Sequence, residues 1–291
     1  MRDFEYAVPG SLEDAISLLS EQPDSARPLA GGTDLIDHVR TGRLLPDLLV
    51  DIKKIPELNI LEISDAGLRI GAAVPCCEIY GNEQIRRHYS AISDSCHIVG
   101  GIQIQNRASV GGNLCNSSPA ADCTPSLIAL NATCVVAGPA GSREIAVEEF
   151  CTGPGRNQLE SGELLVEIRC PARSDHSGSH YRRFIPRNEM DIAVVGVGVS
   201  ITLDPTGQEF ADARIGLGAV APTALLAADA ARCLVGNPVS EESIRQAAET
   251  AKQQISPIDD LRGTREFRIH VTGVLVERSL QSAIERAMST E

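Results

Sequence analysis

Two glycine-rich stretches constrain this chain more than any other feature of its sequence. One runs from Ser109 to Asp122 and reads SVGGNLCNSSPAAD, and a shorter one runs from Ala30 to Leu35 and reads AGGTDL. Each places paired glycines after a small or apolar residue and follows them with a side chain that can cap a helix or form a hydrogen bond. This pattern leaves backbone N–H groups free to hold an anion. Two such stretches predict a single phosphate-bearing ligand.

Composition narrows the class of protein. The chain has 291 residues, of which 43% are hydrophobic and 22% charged, as is typical of a soluble globular protein with more than one domain or subdomain. The net charge is −13 and the whole sequence holds three lysines, which argues against nucleic acid or an anionic membrane as a partner. A phosphate ligand on such an acidic protein is expected to bind backbone N–H groups.

Targeting signals are not evident in the sequence. No apolar run approaches the length of about 20 residues that a membrane span requires. The opening MRDFEYAVPGSLEDA contains no apolar core flanked by positive charge, as a signal peptide would. We therefore expect a cytoplasmic protein without a membrane span.

Hydrophobic periodicity and turn residues predict three units. Residues 1–56 alternate strand and helix signals around the first glycine stretch, and the next unit includes one helix over 83–98 that leads to the second stretch. The polar segment 172–180 is interpreted as a linker, and strands followed by helices come after it. We predict a domain over 1–175, divided into subdomains of about 1–56 and 57–175, and a second domain over 176–291.

Motifs of other well-known active sites are missing from the sequence. It contains no GxGxxG, GxxxxGK[ST], GxSxG or HExxH pattern, and Gly196 and Gly198 are interpreted as packing glycines within a strand. No pair of carboxylates suggests a division between acid and base. The sequence therefore favours chemistry that a cofactor supplies, such as flavin redox chemistry, and we predict no catalytic residue in this chain.

Cysteine and histidine positions do not indicate a metal site. The nine cysteines are scattered and lack CxxC spacing, which favours reduced and mostly buried thiols over disulfides or metal ligands. His176 and His180 are four residues apart, but they fall in the predicted linker and are expected at the surface. We predict no metal ion in this chain.

Five segments, in order, resemble one known family. They are AGGTDL, SVGGNLCNSSPAADCTPSLIALNA, RRFIPRNEMDIAVVGVGVSI, RIGLGAVAPTA and RGTREFRIHVTGVLVERSL. Together they resemble the FAD-binding medium subunit of the molybdenum hydroxylases, of the xanthine dehydrogenase and carbon monoxide dehydrogenase type. The resemblance implies an α+β fold with a two-subdomain FAD-binding module of the p-cresol methylhydroxylase type. It also implies a C-terminal α+β domain, in which helices pack on an antiparallel sheet.

The resemblance also implies which residues bind FAD. The two glycine loops would hold the pyrophosphate, with Thr33 and Asn113 contributing side chains. Asp122 would bond the ribityl and ribose region, Leu165 would contact the isoalloxazine, and Arg183 would stand where the family usually has lysine near the flavin ring, although a surface position for Arg183 is an open alternative. The predicted cofactor-binding residues are Pro28, Leu29, Ala30, Gly31, Gly32, Thr33, Asp34, Leu35, Val99, Gly100, Ser109, Val110, Gly111, Gly112, Asn113, Asn116, Asp122, Leu165 and Arg183.

Electron transfer is the function that the resemblance implies. A large molybdenum–pterin subunit would oxidise the substrate, and a small subunit with two [2Fe-2S] clusters would pass electrons to the flavin in a dimer of heterotrimers. A soluble acceptor such as NAD+ or a quinone would then take them. The inserted cysteine-rich loop that carries a [4Fe-4S] cluster in some relatives is missing, so we expect no iron–sulfur cluster here. A self-sufficient flavin oxidase or dehydrogenase and a non-catalytic interaction subunit stay open as alternatives.

Two other expectations concern the predicted loops. Gly111→Val should abolish FAD binding by blocking close approach of the cofactor to the backbone, while the chain stays folded. Tyr181 is considered as an aromatic residue that approaches the flavin from the C-terminal domain.

Overall fold

A small parallel sheet forms the first of three units in the computed structural model, which describes residues 2–289. Its strands lie in the order β1-β3-β2, so the residues that follow β2 and β3 emerge at the same edge. This edge carries the first glycine stretch. The elements of this unit are β1 (Glu5–Ala7), α1 (Leu12–Glu21), β2 (Ala26–Leu29), α2 (Leu35–Thr41) and β3 (Leu48–Asp51).

The second unit is a five-stranded antiparallel sheet with helices packed against it. Its strands have the order β4-β5-β10-β6-β7, and a two-stranded β8-β9 ribbon lies apart from them. A short 3-10 turn (Pro56–Asn59) precedes it. Its elements are β4 (Leu61–Ser64), β5 (Gly67–Gly71), α3 (Cys76–Gly81), α4 (Glu83–His88), α5 (Ser90–Ile98), α6 (Ile102–Gln105), α7 (Val110–Cys115), α8 (Cys123–Ala129), β6 (Thr133–Gly138), β7 (Gly141–Ala146), α9 (Val147–Phe150), β8 (Cys151–Gly153), β9 (Arg156–Asn157) and β10 (Leu164–Pro171).

The third unit is an antiparallel sheet followed by helices, as predicted, and this sheet has four strands. The strand order is β11-β12-β13-β14, and the long helix α12 packs on β11 and β12. Its elements are β11 (Ser177–Phe184), β12 (Val195–Leu203), β13 (Phe210–Gly218), β14 (Leu225–Leu226), α10 (Ala228–Arg232), α11 (Glu241–Gln253) and α12 (Arg265–Met288).

The helix predicted over 83–98 is two helices, and Tyr89 separates them. Tyr89 leaves the helical conformation at φ −126° and ψ 44°. Its ring is buried and its hydroxyl donates to the Pro171 carbonyl 3.0 Å away. Burying this polar tip with a partner explains the break, because an unpaired hydroxyl would be costly in the core.

The predicted linker over 172–180 is also wrong in its second half. Strand β11 begins at Ser177, because its backbone pairs with β12 from Ser177 opposite Thr202 to Phe184 opposite Val195. His180 is therefore not a surface residue, since its side chain is 13% exposed and its Nδ1 lies 2.8 Å from the Asp94 carboxylate. Sequence polarity alone does not distinguish a linker from a strand whose polar groups are paired across an interface.

Glycines in β12 and β13 allow α8 to lie directly on the third sheet. A β-carbon at Gly198 would be 2.6 Å from the Pro125 carbonyl oxygen of α8, and one at Gly216 would be 2.2 Å from the same atom. Gly198 is thus a packing glycine, as predicted. This close approach brings Asp122, immediately before α8, next to strand β11.

Arg286 joins the second and third units. From α12 its Nη1 donates to the Asp94 carboxylate of α5 at 2.6 Å and to the Ser179 carbonyl of β11 at 2.8 Å. Its Nη2 donates to the other Asp94 oxygen at 3.1 Å. The Ser90 hydroxyl strengthens the same junction by donating to the Ser179 carbonyl at 2.9 Å.

We expect Arg286→Met to lower the free energy of unfolding by about 1–3 kcal/mol, because it leaves the partly buried Asp94 carboxylate with fewer donors. Chemical denaturation of the FAD-loaded chain measures the loss. Arg278→Met is the matched control, because Arg278 lies in the same helix but is exposed. Equal losses in the two variants would show that the bonds to Asp94 do not hold the units together.

Candidate functional site

A cavity of about 570 Å³ lies where the carboxyl edge of the first sheet meets the second and third units. Both glycine stretches line it, together with the start of strand β10 and Arg183 of β11. The first stretch touches the backbone immediately before the second stretch. A β-carbon at Gly31 would be 1.9 Å from the Arg107 carbonyl oxygen, so only glycine fits there.

The first glycine loop presents unpaired backbone donors. Gly32 has a left-handed φ of +74°, a conformation that glycine adopts without strain. Within residues 2–289, the N–H groups of Gly31, Gly32 and Thr33 have no acceptor, and these three residues line the cavity. Free N–H groups around a concave wall are suited to an anion.

The second glycine loop forms the start of α7. Ser109 caps this helix, and its hydroxyl accepts from the Gly112 N–H at 3.0 Å. The missing side chain of Gly111 faces the protein, since a β-carbon there would be 2.5 Å from the Ala72 carbonyl oxygen. The expectation that Gly111→Val leaves the chain folded is therefore wrong. Gly112 is different: it is exposed at the cavity, and a β-carbon would meet only the Ser109 hydroxyl, at 3.1 Å.

Asn113 has a role that the sequence does not reveal. Its side-chain oxygen accepts a bond of 3.2 Å from the Cys123 N–H, at the first residue of α8. The amide thus connects α7 to α8 from a position that lines the cavity. Within the described residues, Thr33 makes no comparable side-chain bond, and it also lines the cavity.

A buried charge pair lies at the wall formed by α8 and β11. The Arg183 Nη1 donates to one oxygen of the Asp122 carboxylate at 2.6 Å, and the Tyr181 hydroxyl donates to the other at 2.9 Å. The exposed fractions of the Arg183 and Asp122 side chains are 5% and 9%. Arg183 is therefore not a surface charge, and it lines the cavity as Asp122 does.

The protonation of Asp122 is set by opposing effects. Burial raises the pKa of the Asp122 carboxyl to about 7, although the charge of Arg183 and the bond from Tyr181 act to lower it. Burial, together with the neighbouring Asp122 charge, raises the pKa of the Tyr181 phenol well above its usual range, so this hydroxyl remains a donor. The carboxyl thus changes its charge near neutral pH.

Tyr181 does not reach the cavity. Its ring is 3% exposed and its hydroxyl is occupied by Asp122. A β-carbon at Gly196 would be 2.6 Å from this hydroxyl, so the neighbouring strand β12 needs a glycine at position 196. Tyr181 holds Asp122 in place instead of approaching the ligand.

The structure brings together seventeen of the nineteen predicted cofactor-binding residues as cavity lining. The exceptions are Leu29 and Val110, whose side chains are buried. Leu29 ends strand β2 and Val110 begins helix α7, and each side chain is directed into the protein and away from the cavity.

Several lining residues were not predicted. Asp191 and Ile192 belong to the segment RRFIPRNEMDIAVVGVGVSI, and its resemblance to the family was the one available signal for them. Four others lie inside the second glycine stretch but outside the positions predicted from it: Cys115, Ser118, Ala120 and Ala121. The rest come from places where the sequence has no distinguishing pattern: His38, Ile52, Ala72, Ile104, Ala108, Leu159, Glu163 and Leu164.

Comparison with known families identifies the cofactor that this chain binds. Residues 2–173 match the family described as the FAD binding domain in molybdopterin dehydrogenase. Residues 180–283 match the CO dehydrogenase flavoprotein C-terminal domain.

This chain belongs to the FAD-binding subunits of the molybdopterin dehydrogenases. It is 31% identical to the putative xanthine dehydrogenase FAD-binding subunit of Escherichia coli K12, over 99% of this chain and 98% of that protein. It is 30% identical to the carbon monoxide dehydrogenase medium chain of Hydrogenophaga pseudoflava, over 97% and 98% of the two chains.

Solved structures agree with the sequence relationship. A chain of reconstituted CO dehydrogenase from Oligotropha carboxidovorans has a TM-score of 0.93 and 30% identity, covering 98% of this chain and 99% of that one. Quinoline 2-oxidoreductase from Pseudomonas putida 86 gives a TM-score of 0.91 at 28% identity, covering 99% of both chains. The α+β fold and the family predicted from the sequence are confirmed.

The flavoprotein subunit is thus an oxidoreductase component whose cofactor is FAD. Its cavity fits such a ligand, because unpaired N–H groups line one wall and apolar side chains line another. None of the helices within residues 2–289 is both long and apolar enough to cross a membrane.

Proposed function

We propose that this chain carries electrons within a multisubunit molybdenum hydroxylase. Its FAD would take electrons from [2Fe-2S] clusters of a partner subunit and pass them to NAD+, a quinone or another soluble acceptor. The observation that carries the proposal is an exposed apolar rim beside the cavity, formed by Ile102, Met190 and Ile192.

The two segments that form the rim are in contact through Met190. Met190 contacts the loop before α6, since its sulfur would lie 3.1 Å from a β-carbon at Gly101 and accepts from the Gln103 amide at 3.9 Å. Ile192 is 50% exposed and lines the cavity as well. Exposed apolar groups beside a redox cofactor favour a protein partner at this surface, because burying them against another chain is favourable.

Different residues of the cavity would contact different parts of FAD. The free N–H groups of the first glycine loop would hold the pyrophosphate, and Leu165 and Ile192 would exclude water from the ring system. Arg183 and Asp122 would fix one charge pair beside it. When bound, FAD supplies the exchange of single electrons and electron pairs that no side chain provides.

The assembly proposed here follows the names of the relatives. Medium chains of carbon monoxide dehydrogenase and FAD-binding subunits of xanthine dehydrogenase are parts of larger complexes. We extend this to a large molybdenum–pterin subunit, a small subunit with two [2Fe-2S] clusters, a dimer of heterotrimers and a cytoplasmic location. We also propose that the chain divides near residue 175 into an FAD-binding domain and a C-terminal domain.

Anaerobic absorption spectra test this function. The chain is purified alone and together with the products of neighbouring genes, and candidate substrates are added, beginning with xanthine and carbon monoxide. We expect a flavin spectrum in both samples and bleaching only in the presence of the partners. Bleaching of the isolated chain would indicate a self-sufficient flavoenzyme, and a chain without flavin would indicate an interaction subunit.

Met190→Glu tests the docking surface within the same complex. A carboxylate at the apolar rim would lose its hydration when the partner docks, so we expect electron entry to slow by about tenfold or more. The measurement is the rate of flavin bleaching after rapid anaerobic mixing with substrate.

Leu45→Glu serves as the control, because Leu45 is 54% exposed but precedes β3, at the edge of the first sheet opposite the cavity. Flavin content should equal that of the unmodified chain in both variants. An unchanged rate in Met190→Glu would rule out this rim as the entry surface.

A further inference from the structure

Three cysteines that are far apart in the sequence meet behind the cavity wall. Cys76 begins α3, Cys96 lies in α5 and Cys123 begins α8, and their sulfur atoms all lie within 4.8 Å of one another. All three side chains are completely buried. The sequence analysis predicted no metal ligands. CxxC spacing reveals only thiols that are close in the sequence, whereas these three come from separate helices.

The spacing of the sulfur atoms suits a small coordination number. A metal ion bonded to thiolates at about 2.3 Å, at the centre of a triangle of three sulfurs, requires sulfurs about 4 Å apart. The sulfur atoms of the three cysteines, all within 4.8 Å of one another, are close enough to adopt this spacing after a small movement. It contains no carboxylate or imidazole, so sulfur would supply every ligand.

The surroundings of the thiols are apolar. The three cysteines belong to the main hydrophobic core of the second unit, beside Ile79 and Ile92.

We propose that Cys76, Cys96 and Cys123 form a binding site for a soft, low-coordinate metal ion, namely cuprous copper. Thiolate ligands select Cu(I), and two or three sulfurs complete its coordination. Structural zinc requires four ligands, and magnesium and calcium require oxygen. Each thiol that becomes a thiolate ligand releases one proton.

The site is connected to the cavity through single residues. Cys123 directly follows Asp122, and the Cys76 N–H donates to the Ala108 carbonyl at 2.8 Å. Asp122 and Ala108 both line the cavity. A bound ion would therefore tie α3, α5 and α8 together immediately behind the wall.

Competition with a coloured cuprous chelator tests the proposal on the full chain without oxygen. We expect the chain to take one copper ion from bathocuproine disulfonate, with a new near-ultraviolet sulfur-to-copper absorption. Cys96→Ser should weaken copper binding by roughly 100-fold, because it removes one of only three ligands. This measurement needs neither FAD nor enzyme activity.

Cys134→Ser is the matched control, because Cys134 is equally buried in the same core but lies outside the group. It should bind copper as the unmodified chain does, and circular dichroism should show both variants folded. The proposal fails if the unmodified chain takes no copper, or if Cys134→Ser loses as much affinity as Cys96→Ser. It also fails if denatured chain purified in air shows two fewer thiols than nine, because a disulfide would then explain the cluster.

Discussion

Gly112→Val is expected to abolish FAD retention while the chain stays folded. Gly112 is exposed at the cavity, and the nearest atom to a β-carbon there is the Ser109 hydroxyl at 3.1 Å. The valine side chain would therefore extend into the space that the ligand needs, beside the unpaired N–H groups of the first glycine loop. The ratio of flavin to protein after purification, together with circular dichroism, measures both parts of the result.

Two further variants serve as references for this experiment. Gly81→Val is the control, because Gly81 is an exposed helical glycine with no atom near its missing side chain. Gly111→Val should lose both flavin and stability, because its β-carbon would overlap the Ala72 backbone. Normal flavin content in Gly112→Val would contradict the assignment of this loop to FAD.

The stability of the FAD-free chain should fall as pH rises from about 4 to about 7, and Asp122 should account for much of the fall. The pKa of Asp122 is about 7 in the folded chain, against an ordinary value of 3.8. The folded state therefore binds a proton that the unfolded state has already released, and this stabilisation is present at low pH and is lost as pH rises through 7. The shift corresponds to about 4 kcal/mol in total.

Asp122→Asn should remove this slope, as measured by urea unfolding of the FAD-free chain across the pH range. The amide keeps an acceptor for Tyr181 and, like the protonated carboxyl, carries no charge beside Arg183, so the variant's stability should stay near the level that the unmodified chain has at about pH 4. Asp204→Asn is the control, because side-chain and backbone hydrogen bonds lower the pKa of Asp204 to about 2, outside this range. An equal slope in Asp122→Asn and the unmodified chain would show that Asp122 does not titrate near neutral pH.

Local features of the fold were predictable because they depend on neighbours in the sequence. The hairpin at residues 64–67 and the final helix from Arg265 follow from turn residues and periodicity alone. The break at Tyr89 was not predictable, since its cause is a carbonyl at Pro171, 82 residues away. The same holds for the early start of β11, which the distant strand β12 imposes.

The candidate site likewise has local features that the sequence predicts and long-range contacts that it does not. Glycine pairs mark the loops, because backbone exposure to a ligand requires small residues wherever the loops lie. Asp122 pairs with Arg183 and Tyr181, which are about 60 positions away in the chain, so no local sequence pattern predicts these bonds. The convergence of Cys76, Cys96 and Cys123 depends likewise on three helices meeting.

The backbone contact between Gly31 and Arg107 has a consequence for how this chain can vary. The atom that excludes a side chain at position 31 is a carbonyl oxygen, 1.9 Å from where a β-carbon would be. Every residue type carries that oxygen, so no exchange of amino acid at position 107 makes room. A mutation at Gly31 therefore has no suppressor at the position it clashes with, and this constraint links two positions that have 75 residues between them in the chain.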